Sequence, residues 1–494
     1  MSLETSPLVL AAQKYLGNEV KAAKVLEYFE FISSIPHISG HEAQLASRLI
    51  EWANENNLAA RMDKAGNVWI VRAPDVTCEE EQEIILQGHL DMVADKLDDN
   101  DFDFIKSGIP LEVTTDGYIK SKANTSLGAD NGIGVALAMA ILTDKTIKTG
   151  KITALFTVSE ETGLVGAKEI KKEDLPENAW LINLDSEGIT IGCAGGVTIS
   201  GDLLTDLTKE PITGYGYKIE ISGLLGGHSG CDIDKNRGNA IIAMLEFLKT
   251  FPQLYINGIY GGTLPNVIPS SCKVICVAKE DLYAELLSES SSFASTLNEK
   301  LELPENTVSF SITKLEEDSF QCFTKEYFSK LLKGLLQLPH GVKCFNSKFN
   351  CVENSCNFAS ISTDNGDSAI DIYLHPRSMD NASWSLMAED IKNIISSLNG
   401  KTCFSNEYSG WMPKNSSKLC TKVKNVYQKF GLPTTTTVTH GGLECGCFAL
   451  FQPSLDIISI GPDKIYDIHT YKERVHLTGI EEFWPVLQTI VDSE

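Results

Sequence analysis

Short apolar segments that alternate with helical patterns constrain the fold of this 494-residue chain more than any other feature of its sequence. Lys151 to Val158 and Ala179 to Leu184 are apolar enough for strands buried on both faces, and Glu83 to Leu90 is predicted as a further strand. Ile133 to Leu142 lies among these segments as an apolar helical run. Helices between such strands predict an α/β fold with a covered, mostly parallel central sheet.

A second type of pattern occupies the middle of the chain. Tyr217 to Ser222 alternates as a strand, Arg237 to Phe251 is helical in pattern, and Ser271 to Ala278 is again strand-like. The alternation of the first part returns beyond about residue 402. Because the length also exceeds what one core usually supports, we predict two domains. One is an α/β domain of residues 1–205 and 402–494, interrupted by an inserted α+β domain of residues 206–401.

The charge balance argues against several kinds of partner. Lys and Arg number 42 and Asp and Glu 66, so the formal net charge is −24. We expect no nucleic-acid partner, because phosphate binding needs clustered basic residues, and no docking on anionic membranes. The chain also lacks a run of about 18 apolar residues, so no membrane span is expected.

The N-terminus and the cysteines predict a cytoplasmic location. The first forty residues lack the pattern of a signal peptide. The 13 cysteines are odd in number and form no CxxC pair. This favours reduced thiols packed as small apolar residues over a disulfide framework.

Chemically reactive side chains follow the predicted strands where they end. Parallel strands place their carboxyl ends at one edge of the sheet, where ligands gather. Five residues at such ends are candidate metal ligands: His89, Asp130, Glu161, Asp185 and His469. Two histidines and three carboxylates suit two divalent metal ions of the zinc, manganese or cobalt type.

Two of these motifs add a neighbouring carboxylate. Asp91 follows His89 at the spacing that puts both side chains on one side of an extended segment, which suits a ligand and its orienting partner. Adjacent Glu160 and Glu161 are costly at a buried strand end unless a cation offsets their charge. One of the two could bind the metal while the other acts as a general base on water.

Each motif also fits a plainer structure when taken alone. The His-Asp pair could form a surface turn, Asp130 could cap a helix, and the paired glutamates could begin an acidic loop. Ser39 and Glu42 have the spacing of a capping box that opens a helix.

Longer motifs around these residues resemble the M20 metallopeptidases. They are GHLDMV (88–93), LGADNGIG (127–134), EETGLVGA (160–167), NLDSE (183–187) and GGHSG (226–230). HGGLECG (440–446) and SIGPDKIYDIH (459–469) resemble in particular the aminoacyl-histidine dipeptidase subfamily, also called Xaa-His dipeptidase or peptidase D. The resemblance implies a zinc-peptidase-like catalytic domain with an inserted lid domain, through which the chain would form a homodimer.

The resemblance also implies how the metal ligands divide. Asp130 would bridge two divalent cations, with zinc expected and cobalt or manganese as alternatives. Glu161 and His469 would complete one metal site, and His89 and Asp185 the other.

The remaining roles carried over are catalytic and substrate-binding. Glu160 would be the general base, Asp91 would orient the first histidine ligand, and His228 would stabilise the oxyanion from the lid. Residues expected near the substrate are Asn266, Arg377, His440 and Glu444. Of these, Arg377 is a plausible fork for the C-terminal carboxylate of the substrate.

The implied activity is metal-dependent hydrolysis of dipeptides, either Xaa-His or of broad specificity. The alternatives are another M20-type amidohydrolase, such as an aminoacylase or tripeptidase, and an inactive binding protein on the same fold. Three positions depart from the relatives: Thr470-Tyr471 stands where they tend to carry Ser-Pro, Asp234 lies at a variable position, and Leu264-Pro265 precedes Asn266. These departures concern substrate fit rather than the metal ligands.

Overall fold

The computed structural model describes residues 6–75, 82–204, 209–304, 307–363 and 369–493. The chain divides into two compact units, each with its own hydrophobic core. The first unit comprises Met1–Cys193, Trp411–Val438 and Leu443–Glu494, and the second comprises Ala194–Gly410 and Thr439–Gly442. The predicted α/β fold class is confirmed.

The helices and strands are numbered in chain order. The helices are α1 (Pro7–Leu16), α2 (Ala23–Ser33), α3 (Ala43–Glu55), α4 (Ala129–Thr143), α5 (Val165–Lys168), α6 (Ala240–Lys249), α7 (Tyr283–Lys300), α8 (Lys325–Leu335), α9 (Asn381–Ser397), α10 (Lys418–Lys429), α11 (Cys445–Phe451) and α12 (Leu477–Val491). The strands are β1 (Ala59–Met62), β2 (Val68–Arg72), β3 (Ile84–His89), β4 (Leu111–Val113), β5 (Tyr118–Ser121), β6 (Ile152–Thr157), β7 (Trp180–Asn183), β8 (Gly188–Cys193), β9 (Gly195–Leu204), β10 (Lys209–Thr213), β11 (Tyr215–Ser222), β12 (Tyr255–Gly261), β13 (Cys272–Ala278), β14 (Ser309–Lys314), β15 (Ser319–Phe323), β16 (Gly341–Asn346), β17 (Cys351–Ser362), β18 (Ala369–Ser378), β19 (Gly400–Tyr408), β20 (Thr436–Thr439), β21 (Asp456–Gly461), β22 (Ile465–Tyr466) and β23 (Arg474–His476).

The central sheet of the first unit has the order β1-β2-β6-β3-β7-β21-β8-β20. Its middle strands β6, β3, β7 and β21 run parallel, whereas β2 and β8 pair antiparallel at either side of them. The sheet is therefore parallel, as predicted, at its centre, and antiparallel strands flank this part. Strands β3 and β6 are buried along their whole length, as their apolar sequences require.

Helix α4 packs against α2 and β3 in the core of the first unit. Every residue from Asn131 to Leu142 is buried, because this helix is apolar on all sides. Its first turn is thereby held next to the end of β3.

The second unit contains a large sheet of order β14-β11-β13-β12-β17-β18-β9-β19, with β16 paired to β17. The predicted domain boundaries, at 205 and 402, differ from the observed ones. Strand β9 pairs with both β18 and β19, and residues 194–204 and 402–410 belong to the second unit.

Two further observations bear on the sequence predictions. None of the helices in the described ranges is both long and apolar enough to cross a membrane. Seven of the twelve described cysteines are buried, and Cys78 lies outside the described residues.

Candidate active site

The carboxyl ends of neighbouring parallel strands place most of the candidate ligands. His89 is the last residue of β3, Glu160 and Glu161 follow β6, and Asp185 lies two residues beyond β7. Because these three strands are neighbours, the side chains converge at one edge of the sheet. His469 reaches the same place from the loop after β22, and half of its side chain is exposed.

Asp130 enters the cluster from the start of α4. A Cβ at position 88 would lie 2.2 Å from Asn131 Oδ1, so only glycine lets this turn approach β3 so closely. Asn131 also donates a hydrogen bond to the carbonyl of Leu184 at 2.7 Å, which ties the turn to the end of β7. The Asp130 side chain makes no helix cap and instead faces the two histidines.

The other four predicted ligands lie around the two oxygens of Asp130. Its Oδ1 is 3.1 Å from His89 Nε2, which in turn is 3.5 Å from Asp185 Oδ1. Its Oδ2 is 3.3 Å from His469 Nε2, which is 2.7 Å from Glu161 Oε1. The two groups of donors therefore share one carboxylate, as a bridging ligand requires.

The donor atoms within 4.8 Å of one another form three sets. Two of them match the predicted metal sites: His89, Asp130 and Asp185, and Asp130, Glu161 and His469. The third joins His89 and Glu161 with Glu160, so the residue predicted as general base lies beside the cluster and within ligating range.

Burial of several acidic groups together gives the cluster unusual electrostatics. Burial and the charge of Asp130 raise the pKa of Asp185 to about 8. Burial, together with the charges of Asp185 and Glu161, raises the pKa of Glu160 well above its usual range. Burial alone would lower the pKa of His469, but its hydrogen bonds to Asp130 and Glu161 raise it to about 11. Cations held between these oxygen and nitrogen donors would offset the repulsion, so the donor set fits divalent metal ions.

Asp91 contacts the cluster through both its backbone and its side chain. His89 Nδ1 lies 2.9 Å from the backbone oxygen of Asp91 and 3.4 Å from its carboxylate. The backbone oxygen is thus the closer acceptor for Nδ1–H, which leaves Nε2 to face the other ligands. The carboxylate of Asp91 accepts hydrogen bonds from the backbone N–H groups of Glu160 (2.9 Å) and Glu161 (3.2 Å).

Ser39 and Glu42, predicted as a capping box, also support the site. Helix α3 begins only after Glu42, whose side chain makes no cap. Ser39 Oγ donates to the Asp91 carboxylate at 2.8 Å, and Glu42 Oε1 accepts from both N–H and O–H of Ser159 at 2.9 Å. The prediction of a capping box is wrong, because α3 starts only after Glu42 and Ser39 N–H donates to the carbonyl of Met92, while Glu42 Oε1 accepts from Gly40 N–H at 3.0 Å.

His228 belongs to the second unit and lies in a turn stabilised by backbone contacts. Its Nδ1 accepts hydrogen bonds from the N–H groups of Gly230 and Cys231, both at 3.2 Å. The neutral ring therefore carries its proton on Nε2. The backbone oxygen of the exposed Asn266 accepts from Ser229 N–H at 2.8 Å, so the predicted residues His228 and Asn266 are brought together.

Arg377 is buried in the second unit without an acidic partner among the described residues. Its guanidinium donates to Tyr408 Oη at 2.5 Å and contacts Ser229 Oγ at 3.4 Å, while Nε has no hydrogen-bond partner. The backbone oxygen of His440 lies 3.5 Å from the same guanidinium. Burial and the charge of Arg377 lower the pKa of His440 to about 3. Tyr408 was not predicted from the sequence as a site residue, because no feature of its polar strand distinguishes it from its neighbours.

Comparisons with known proteins agree with this arrangement. A model of the peptidase dimerisation domain matches residues 219–301, and a model of peptidase family M28 matches residues 67–192. The cytosol non-specific dipeptidase of Escherichia coli K12 is 32% identical over 476 residues, covering 94% of this chain and 96% of the relative. This chain belongs to the M20 peptidase family.

Solved structures support the assignment to the M20 family. The crystal structure of aminoacylhistidine dipeptidase from Vibrio alginolyticus has a TM-score of 0.83 and 29% identity, covering 97% of this chain and 98% of that one. A tripeptidase from Staphylococcus aureus, at 15% identity and a TM-score of 0.55 over 96% and 98% of the two chains, shares the fold alone. The predictions of the M20 family and of a metallopeptidase are confirmed.

Glu444 connects two strands in the core of the first unit of this M20 chain. It is fully buried in the first unit, where its Oε2 accepts hydrogen bonds from Gln87 and, at 2.8 Å, from Thr157. Burial raises the pKa of Glu444 to about 7. The side chain thus joins β3 to β6, and a contact between Glu444 and substrate stays a prediction.

Proposed function

We propose that this chain hydrolyses dipeptides at a centre of two divalent cations. The observation that carries the proposal is the convergence of four candidate ligand side chains around a fifth, Asp130, in a chain 32% identical to a dipeptidase over most of its length. The first cation would be held by His89, Asp130 and Asp185, and the second by Asp130, Glu161 and His469.

The chemistry of the donors supports zinc as the cation, with cobalt or manganese as alternatives. When bound, such ions act as Lewis acids on the peptide carbonyl and lower the pKa of the attacking water. An inactive binding protein is the weaker candidate, since every predicted ligand and Glu160 are present and grouped.

Glu160 is the general base of the proposal. Its backbone is fixed by Asp91, and its side chain lies beside His89 and Glu161 at the edge of the cluster. The carboxylate would take a proton from the attacking water and transfer it to the leaving amine.

His228 is proposed to stabilise the developing negative charge on the substrate oxygen. Two backbone N–H groups occupy its Nδ1, so the ring presents Nε2–H as a donor. A neutral, pre-oriented donor of this kind stabilises an oxyanion without reorganising during the reaction.

Arg377 is proposed to bind the C-terminal carboxylate of the dipeptide. A buried guanidinium without an acidic partner among the described residues is costly, and a carboxylate would offset its charge. Asn266 and His440 would contribute further contacts with the substrate, because both are brought close to the same cluster within the second unit. A requirement for a free carboxylate would distinguish dipeptides from their amides.

Substrate range, location and assembly are also matters of proposal. The two dipeptidase relatives are named for non-specific and for aminoacyl-histidine activity, so we propose a broad range that includes Xaa-His. A cytoplasmic location follows the name of the first relative. The match of residues 219–301 to a peptidase dimerisation domain supports a homodimer formed through the second unit.

The test combines metal analysis with a substrate panel on one preparation. Purified protein loaded with zinc, cobalt or manganese is assayed on Xaa-His, Cys-Gly and other dipeptides, beside tripeptides and N-acyl amino acids. We expect two cations per chain and turnover of dipeptides that stops on chelation. Faster turnover of tripeptides or N-acyl amino acids would favour the aminoacylase or tripeptidase alternative, and no turnover with two cations bound would favour the binding protein.

A further inference from the structure

Glu473 makes an unusual set of contacts at the start of α4. Its Oε2 accepts hydrogen bonds from the N–H groups of Leu127 (2.8 Å) and Gly128 (3.0 Å). Its Oε1 accepts from the N–H groups of Ala129 (2.9 Å) and Asp130 (3.2 Å). One carboxylate thus satisfies four consecutive backbone donors of the turn that carries the shared ligand Asp130.

The same side chain anchors the loop that carries His469. Glu473 is 3% exposed, and its backbone N–H donates to the carbonyl of Thr470 at 3.0 Å, which closes the loop next to His469. Tyr471 N–H donates to Asp95 Oδ2 at 2.7 Å, which connects this loop to a second distant part of the chain.

The backbone of His469 needs such anchors. Its φ is +65°, in the left-handed region that residues other than glycine seldom adopt. A strained residue keeps this conformation only where its surroundings impose it. The carboxylate of Glu473 therefore joins two loops, far apart in sequence, whose ligands meet at 3.3 Å.

We propose that Glu473 is a positioning residue that sets the geometry of the Asp130–Glu161–His469 metal site. The inference rests on the proposed metal centre. The site that contains His469 should depend more strongly on Glu473 than the other site does. Glu473 holds both Asp130 and the loop of His469; Asp130 belongs to both sites, whereas His469 belongs to one. His89 and Asp185, at the ends of β3 and β7, are held by the sheet instead.

The substitution E473Q is the first test. It keeps the size of the side chain but removes the charge and turns one acceptor into an NH₂ group that faces backbone donors. We expect the affinity of one cation to fall at least about tenfold while the second stays bound more tightly. With Co²⁺ as the probe, the visible absorption of one site should be lost or shifted before that of the other.

Glu481 offers a matched control. Its carboxylate accepts hydrogen bonds from the N–H groups of Lys21 (2.7 Å) and Ala22 (2.9 Å) at the start of α2, away from the metal ligands. E481Q should lower the Tm of the metal-free protein but leave both metal affinities unchanged. E473D, which keeps the charge on a shorter side chain, should restore part of the lost affinity and tests the proposal if E473Q does not fold.

The outcomes separate the inference from the proposed function. If wild-type protein binds two cations and E473Q binds both with unchanged affinity, Glu473 has no positioning role. Equal weakening of both cations, or a loss of affinity that E481Q shares, would also overturn the inference. If wild-type protein binds no cation, the proposed metal centre itself fails.

Discussion

The carboxylate of Asp91 holds the backbone of Glu160, whose N–H donates to Asp91 Oδ1 at 2.9 Å. Glu161 N–H donates to the other oxygen at 3.2 Å, so one side chain positions both the proposed base and a proposed metal ligand. His89, in contrast, is held more closely by the backbone oxygen of Asp91. The side chain and the backbone of Asp91 therefore have separable functions.

Substitution D91A should lower kcat more than it lowers metal content. The change removes the acceptors that fix Glu160 and Glu161 but keeps the backbone oxygen that orients His89. Loss of such a supporting contact typically costs about 10- to 100-fold in activity. Metal content per chain and kcat are measured on the same sample. Loss of both cations in D91A would show that the carboxylate, and not the backbone, fixes His89.

Substitution R377K should reduce hydrolysis of dipeptides with a free carboxylate. A charged hydrogen-bonding pair contributes about 1.5–3 kcal/mol, which corresponds to about 10- to 100-fold in kcat/KM. Dipeptide amides, which lack the carboxylate, should be affected much less. R61K is a suitable control, because Arg61 is half-exposed and pairs with Asp174 on the surface. An equal loss for free and amidated dipeptides would remove Arg377 from carboxylate binding.

The buried His440 should make the protein less stable as the pH falls. Burial and Arg377 lower the pKa of His440 to about 3, against a usual value of 6.5. The unfolded chain thus binds more protons than the folded one between these values, so stability decreases as the pH drops below about 6.5. Tm measured from pH 7.5 to 5 should fall less in H440Q than in wild type. H41Q, at an exposed histidine, is the control and should follow the wild-type curve. Identical curves for H440Q and wild type would show that His440 does not cause the loss of stability at low pH.

Metal binding at pH 7 should release protons. The pKa of Asp185 is raised to about 8 and that of His469 to about 11, so both groups are mostly protonated before a cation binds. Ligands must lose these protons to bind, and affinity should therefore rise from pH 6 to 8. Titration calorimetry in two buffers of different ionisation enthalpy measures the release. Binding of two cations without proton release would contradict the electrostatics of the cluster.

The grouping of several candidate ligands could be predicted because they lie beside elements that their own residues define. Apolar runs mark β3, β6 and β7, and the reactive side chains follow within a few residues. Parallel neighbours then bring those ends together, which made the grouping of His89, Glu161 and Asp185 foreseeable.

The contacts that were not foreseen depend on partners distant in sequence. Ser39 and Glu42 have the local spacing of a cap, yet their side chains contact Asp91 and Ser159, which are distant in sequence, and Glu42 contacts Gly40 as well. Strand β9 is rich in glycine and polar residues, and only its pairing with β18 and β19 defines its place. Local sequence patterns cannot reveal such strand pairings. The predicted domain boundaries differ from the observed ones because they were placed without knowledge of these pairings.

The measurement that tests the account most directly is dipeptide hydrolysis by E160Q carrying its full metal content. The account predicts two cations per chain, as in wild type, since the two ligand groups around Asp130 do not include Glu160. It also predicts that turnover is abolished, because no other group is assigned to take the proton from the attacking water. Wild-type turnover by metal-loaded E160Q would contradict the proposed mechanism.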